Sequence, residues 1–112
     1  MPWLLRDKEV LASVEVMESR MDRLRGLRGR PGADGAVLLR PAMAVHTGGM
    51  RFPIDVAFCD AGLVVIDTVC RVPPFRLLAP RLRARCVIEA EAGSFERWGL
   101  RPGDHLELKL DG

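Results

Sequence analysis

At 112 residues the chain has the length of one domain, and a second independent core would have too few residues to close. Hydrophobic residues make up 48% and charged residues 29%, which excludes a disordered chain and predicts that residues 1–112 form a single globular domain. Seventeen basic against 15 acidic residues leave a net charge of +2, so no long-range attraction to nucleic acid or to an anionic membrane is expected.

All the basic residues are Arg except Lys8 and Lys109. The skew runs through every segment, including those whose pattern is purely structural, so it reads as base composition rather than as a recognition surface. The apolar run before Arg6 is too short for a signal-peptide core or a membrane span, and the expected location is cytoplasmic. Cys59, Cys70 and Cys86 form an odd set without a C-x-x-C pair, each in an apolar stretch. They read as buried thiols, not as a disulfide or a zinc site, and no metal or other cofactor is expected.

Along the chain, Glu9–Met17 alternates, with Val10, Ala12, Val14 and Val16 on one side, which predicts the first strand. Ser19-Arg20-Met21-Asp22 has the form of a capping box. It predicts a short helix whose Met17, Met21 and Leu24 stack on the core, whose arginines cover the other faces, and which ends at Gly26 or Gly29. Three glycines and Pro31 make 29–35 a loop, and Ala36–Leu39 is a brief strand stopped by Pro41.

Ile54–Cys59 and the run 63–70 flank Asp60-Ala61-Gly62, the pattern of a hairpin with Gly at a left-handed position. Both strands are apolar nearly throughout and are expected at the centre of the sheet. Pro73, Pro74 and Pro80 bound an ordered loop in which Phe75, Leu77 and Leu78 pack over a core edge. The run 85–91 reads as a strand, and Ser94 as the cap of one helical turn that carries Phe95 and Trp98 and stops at Gly99. After a turn at Pro102-Gly103-Asp104, residues 105–110 alternate as a last strand with its leucines inward. Together these predict a mainly β chain, α+β by element count. The fold is a compact β-barrel or sandwich of about six to eight strands with one or two short helices.

The stretch His46-Thr47-Gly48-Gly49-Met50-Arg51-Phe52-Pro53-Ile54-Asp55-Val56-Ala57-Phe58 resembles the signature of the bacterial and archaeal family filed as domain of unknown function number 192. Residues 20–27, ending Arg-Leu-Arg-Gly-Leu, resemble that family's Arg-rich helix. Residues 86–93, with Gly99-Leu100-Arg101-Pro102-Gly103-Asp104, resemble its strand, short helix and closing turn. The likeness covers most of the chain from Val10 to Leu108. It implies a compact β-barrel or sandwich with short helices and carries no reaction with it.

His46 opens the most polar and conformationally unusual segment, where Gly48-Gly49 lets the backbone approach a ligand closely or turn sharply. This is the first-choice ligand site. His46 and Thr47 supply hydrogen bonds, Gly48, Gly49 and Met50 form the turn, Arg51 and Asp55 stand at the mouth, and Glu89 joins from another strand. The structural reading of the same residues is a turn in which Asp55 pairs with Arg51 or Arg23 and His46 satisfies a backbone carbonyl.

Catalytic motifs are missing: there is no G-x-S-x-G, and no Lys-Ser/Thr follows Gly48-Gly49. A nucleophile pair of Cys59 and His46 needs an accessible, electropositive thiol. The chain is therefore read as a non-catalytic small-ligand or protein-interaction module using the segment from His46 to Asp55, with no nucleic-acid or membrane partner. One alternative is a small enzyme on a carbohydrate-like or carboxylated substrate, with His46, Asp55 and Glu89 in acid–base roles. Another is a partner subunit that buries the segment from Phe75 to Leu78 against another chain.

Overall fold

Period-two apolar patterning builds most of this chain into strands. The computed structural model describes residues 2–27 and 35–110. Their elements run β1 (Trp3–Arg6), β2 (Glu9–Met17), α1 (Arg20–Arg25), β3 (Ala36–Leu39), β4 (Val45–His46), β5 (Ile54–Cys59), β6 (Val65–Val72), β7 (Leu77–Leu78), β8 (Cys86–Glu91), α2 (Ser94–Trp98) and β9 (Leu106–Lys109). Seven strands form one sheet in the order β6-β5-β8-β3-β2-β1-β9, and β4 and β7 form a separate two-stranded ribbon. Only β2 and β3 pair in parallel. β3 and β5 are buried along their whole length, as is β8 up to its last residue.

The sheet bends until its two ends meet at the bridge pair Val64–His105, where the Leu106 N–H donates to the Leu63 carbonyl at 2.9 Å. One bridge does not close a barrel, and the result is sandwich-like. The concave face buries Leu4, Val14, Leu38, Ile88, Phe95 and Leu106. The other face buries Leu39, Val56, Phe58 and Val87 beneath Leu27, Met50 and the inward residues Val45 and Leu78 of the ribbon.

Several expectations are corrected. β1 precedes the first predicted strand and pairs with both β2 and β9, because four residues suffice for a strand. Ser19 does cap α1, accepting from the Asp22 N–H at 3.1 Å, but Met21 and Leu24 are 73% and 52% exposed. The helix ends at Gly26, and it is Leu27, just beyond, that reaches the core. The predicted loop 29–35 lies outside the described residues except for Gly35.

The predicted hairpin forms, but β6 is an edge strand rather than a central one, and Cys70 on it is exposed, not buried. Leu63, with φ 66°, takes the left-handed position assigned to Gly62, because the Asp60 carboxylate organises the turn by accepting from the Gly62 and Val64 N–H groups. Phe75 and Leu77 face solvent, and only Leu78 packs on the core, through the unpredicted strand β7.

Ser94 does not cap α2; Gly93 holds that place, with no side-chain cap of its own. The cap comes from across the fold. Asp55, 1% exposed, accepts from the Gly93 and Phe95 N–H groups on Oδ2, both at 3.0 Å, and from the Arg71 N–H on Oδ1 at 2.9 Å. At the other end of α2 the Arg6 guanidinium donates to the Trp98 and Gly99 carbonyls and to Asp104. Negative charge at the helix start and positive charge at its end both match the helix dipole. Replacing Asp55 with Ala strands three backbone donors at once, and the expected loss is about 3 kcal/mol or more of unfolding free energy in urea titration. A loss below about 0.5 kcal/mol, the range of ordinary surface substitutions, would show that these bonds do not hold α2.

Candidate functional site

Thr47 is fully buried and bonds on every side. Its hydroxyl donates to the Pro73 carbonyl at 2.7 Å and accepts from the Arg76 N–H at 2.8 Å. Its backbone N–H donates to the Arg76 carbonyl, and its carbonyl accepts from the Met50 and Phe75 N–H groups. Thr47 therefore ties the 47–50 turn to the 73–76 segment. Gly49, with φ 84°, supplies the left-handed residue of that turn, and Arg51 beyond it is exposed. Gly48, Gly49 and Arg51 stand beside the site and do not line it.

A cleft of about 90 Å³ opens between β4 and the end of α1, lined among others by Arg23, Gly26, Leu39, His46, Met50 and Glu89. Glu89, 2% exposed on β8, accepts from the Leu27 N–H at 3.3 Å. Gly26 has φ 48°, and a Cβ there would lie 2.6 Å from Glu89 Oε1. Both the backbone and the carboxylate thus require glycine at this point. Arg23 is anchored by donation to the Pro41 carbonyl at 2.6 Å. His46 lies at the exposed mouth.

Of the residues singled out from sequence, His46, Met50 and Glu89 come together here, and Asp55 does not. In the β5–β8 ladder Asp55 stands opposite Ala90, and Val56 opposite Glu89. Side chains alternate along a strand, so the two carboxylates point to opposite faces of the sheet and no small substrate can touch both. Asp55 also pairs with backbone N–H groups rather than with Arg51 or Arg23. It lies at a second cleft, of about 310 Å³, beside Cys70 and the Arg71–Glu96 ion pair, with both its oxygens already engaged. A third, of about 460 Å³, presents Glu91, Arg97 and Trp98. Gly26 and Arg23 are cleft residues that sequence reasoning missed as such, having read Gly26 as a helix stop and Arg23 as a helix arginine or a partner of Asp55. The signal available was the helix-closing Arg-Leu-Arg-Gly-Leu motif itself.

Cys59 belongs to the concave-face cluster, whereas His46 lies on the ribbon over the other face. Burial, and secondarily Cys86 and Asp60, push the Cys59 thiol up to about 12. That is the opposite of what a nucleophile needs. Among the described residues no group of three His, Cys, Asp or Glu is placed to hold a metal ion.

The family model DUF192, described as Uncharacterized ACR, matches residues 4–108. The UPF0127 protein of Pyrococcus furiosus is 27% identical over 107 residues, covering 91% of this chain and 91% of its own. That of Thermococcus sibiricus is 26% identical over 104 residues, covering 88% of this chain and 67% of its own. Two crystal structures share the fold at a TM-score of 0.80 over 95% of this chain. One is a protein of unknown function from Novosphingobium aromaticivorans, 18% identical and matched over 82% of its length. The other is a Sinorhizobium meliloti protein named as a candidate transcription regulator, 20% identical and matched over 90%. At such identities the likeness is one of fold.

Two outcomes are expected from this geometry. Gly26→Ala puts a methyl against Glu89 in a conformation L-residues avoid, and should lower stability by about 1–3 kcal/mol in thermal unfolding. With iodoacetamide at pH 8, peptide mapping should find Cys70 labelled first and Cys59 protected until unfolding, since Cys59 is both buried and protonated there.

Proposed function

We propose that this chain, which belongs to the DUF192 family, is a non-catalytic module that binds a small polar ligand, or the polar end of a larger one, in the cleft between β4 and α1. One observation carries the reading. A buried carboxylate, Glu89, lines an opening that only a residue without a side chain, Gly26, leaves accessible. Glu89 also accepts from the Leu27 N–H, so the same carboxylate serves the scaffold and borders the cleft.

Size and charge define the occupant. About 90 Å³ is well below the roughly 300–1,000 Å³ of drug-sized sites and holds a group of only a few heavy atoms. Arg23, Arg25 and His46 line it beside the Glu89 carboxylate, so the fitting group is small and polar. An acid–base reading loses its carboxylate pair, because Asp55 lies across the sheet from Glu89.

Thermal unfolding of the wild type and of His46→Ala, against amines, guanidinium, short carboxylates, phosphate and amino acids, tests this. Binding to the folded state raises the midpoint, by the equivalent of about 2.7 kcal/mol at a hundred times Kd. The expected result is that one class stabilises the wild type and loses its effect in His46→Ala. If no class shifts the wild type, the cleft is packing alone.

A further inference from the structure

Between Thr68 and Ile88 the sequence carries five arginines, at 71, 76, 81, 83 and 85, and no carboxylate. The near-even charge of the whole chain conceals this asymmetry. Arg81 is engaged by Asp67 at 2.9 Å and by the Phe58 ring, and Arg85 by the Leu82 and Ala84 carbonyls. Arg76 and Arg83 are exposed and have no side-chain partner among the described residues.

The same stretch projects its largest apolar side chains into solvent: Phe75, Leu77 and Leu82 are each 79–80% exposed. Their placement is built. Leu77 stands opposite His46 on the outer side of the ribbon, while Val45 and Leu78 turn to the core. Leu82 sits in the turn closed by the Ala84 N–H on the Arg81 carbonyl at 2.8 Å. Phe75 holds a left-handed φ of 64°, uncommon for an aromatic residue, and is fixed there by donation to the Thr47 carbonyl. Burying that ring would relieve solvent exposure, yet the chain spends Thr47's bonds on holding it outward.

We propose that this ridge docks the chain on an anionic phospholipid surface, with Phe75, Leu77 and Leu82 entering the headgroup–acyl boundary and Arg76 and Arg83 meeting lipid phosphates. The charge is complementary: apolar tips interleaved along the chain with guanidinium groups that have no side-chain partner among the described residues match an anionic interface. The shape agrees. With about four-fifths of each side chain in solvent, the three tips are projections. Projections enter a fluid interface without needing the matching pockets that a folded partner would have to supply.

Co-sedimentation of the full chain with vesicles of phosphatidylcholine alone or mixed with phosphatidylglycerol tests the proposal. The wild type should bind the phosphatidylglycerol vesicles, bind those of phosphatidylcholine weakly, and be released by salt. Arg76→Gln with Arg83→Gln should weaken binding about five-fold per arginine. Phe75→Ser with Leu77→Ser should weaken it about ten-fold or more. All four positions are exposed, and thermal unfolding checks that the variants fold; if the Phe75/Leu77 pair does not, Leu82→Ser and the arginine pair carry the test. Absence of wild-type binding, equal binding to both vesicle types, or binding unmoved by these substitutions would overturn it. So would preference for soluble polyglutamate, which assigns the ridge to an acidic protein. Sedimentation equilibrium showing a dimer that Phe75→Ser with Leu77→Ser dissolves would likewise overturn it, assigning the ridge to a second copy.

Discussion

The Asp55 carboxylate is the point on which the concave side of this fold depends. A five-residue helix has no stability of its own, because nucleation fixes several residues for a single hydrogen bond. α2 exists because Asp55 accepts from two of its leading N–H groups and Arg6 donates to its trailing carbonyls. Helix α2 in turn delivers Phe95, 2% exposed, into the concave cluster. The third bond, from the Arg71 N–H, ties the edge strand β6 to the same carboxylate at a residue whose φ of 55° is itself unusual. One buried charge thus aligns a central strand, an edge strand and a helix. It tolerates burial because three N–H donors surround it.

Glu89 is its counterpart on the other face. β5 and β8 are direct neighbours, and the register that sets Asp55 opposite Ala90 sets Glu89 opposite Val56. A slip of one residue would send each carboxylate into the wrong layer, leaving two buried charges without donors, so the two acids also specify the pairing. Glu89 holds the chain where α1 ends, through the Leu27 N–H, and Leu27 then closes the outer cluster. What separates the two acids is use. Asp55 is consumed by the scaffold, whereas Glu89 holds the scaffold and also faces an opening.

Local patterning made the strands legible. The alternation of Glu9–Met17, the buried run Ile54–Cys59 and the Gly99 stop of α2 all stand where the sequence placed them, because each depends on residues a few positions apart. What escaped depends on distance in sequence. Nothing near Asp55 announces that its partners lie 16 to 40 residues away, and nothing in the apolar run of β6 tells an edge from a centre. Met21 and Leu24 carry the right spacing for a buried face, but α1 is too short to bring them onto the sheet. β7, two residues long and hemmed by prolines, has no periodicity to detect. Of the residues that line the candidate cleft, the sequence singled out His46, Met50 and Glu89 and passed over Gly26. In the segment from His46 to Asp55, Thr47 and Asp55 spend their polar bonds on the scaffold.

Thr47 joins the two surfaces that remain. Its carbonyl accepts from Met50, which lines the cleft, and from Phe75, which crowns the ridge, while its hydroxyl fixes the chain on either side of Phe75. His46, the residue before it, borders the cleft and stands across from Leu77 on the ridge. Thr47 and His46 thus tie the cleft-lining Met50 and the outward Phe75 and Leu77 to the same short ribbon. That ribbon is held by two residue pairs and one buried threonine rather than by the seven-stranded sheet. Elements with so few ladder bonds lie at the low end of local stability, where small binding energies shift populations most.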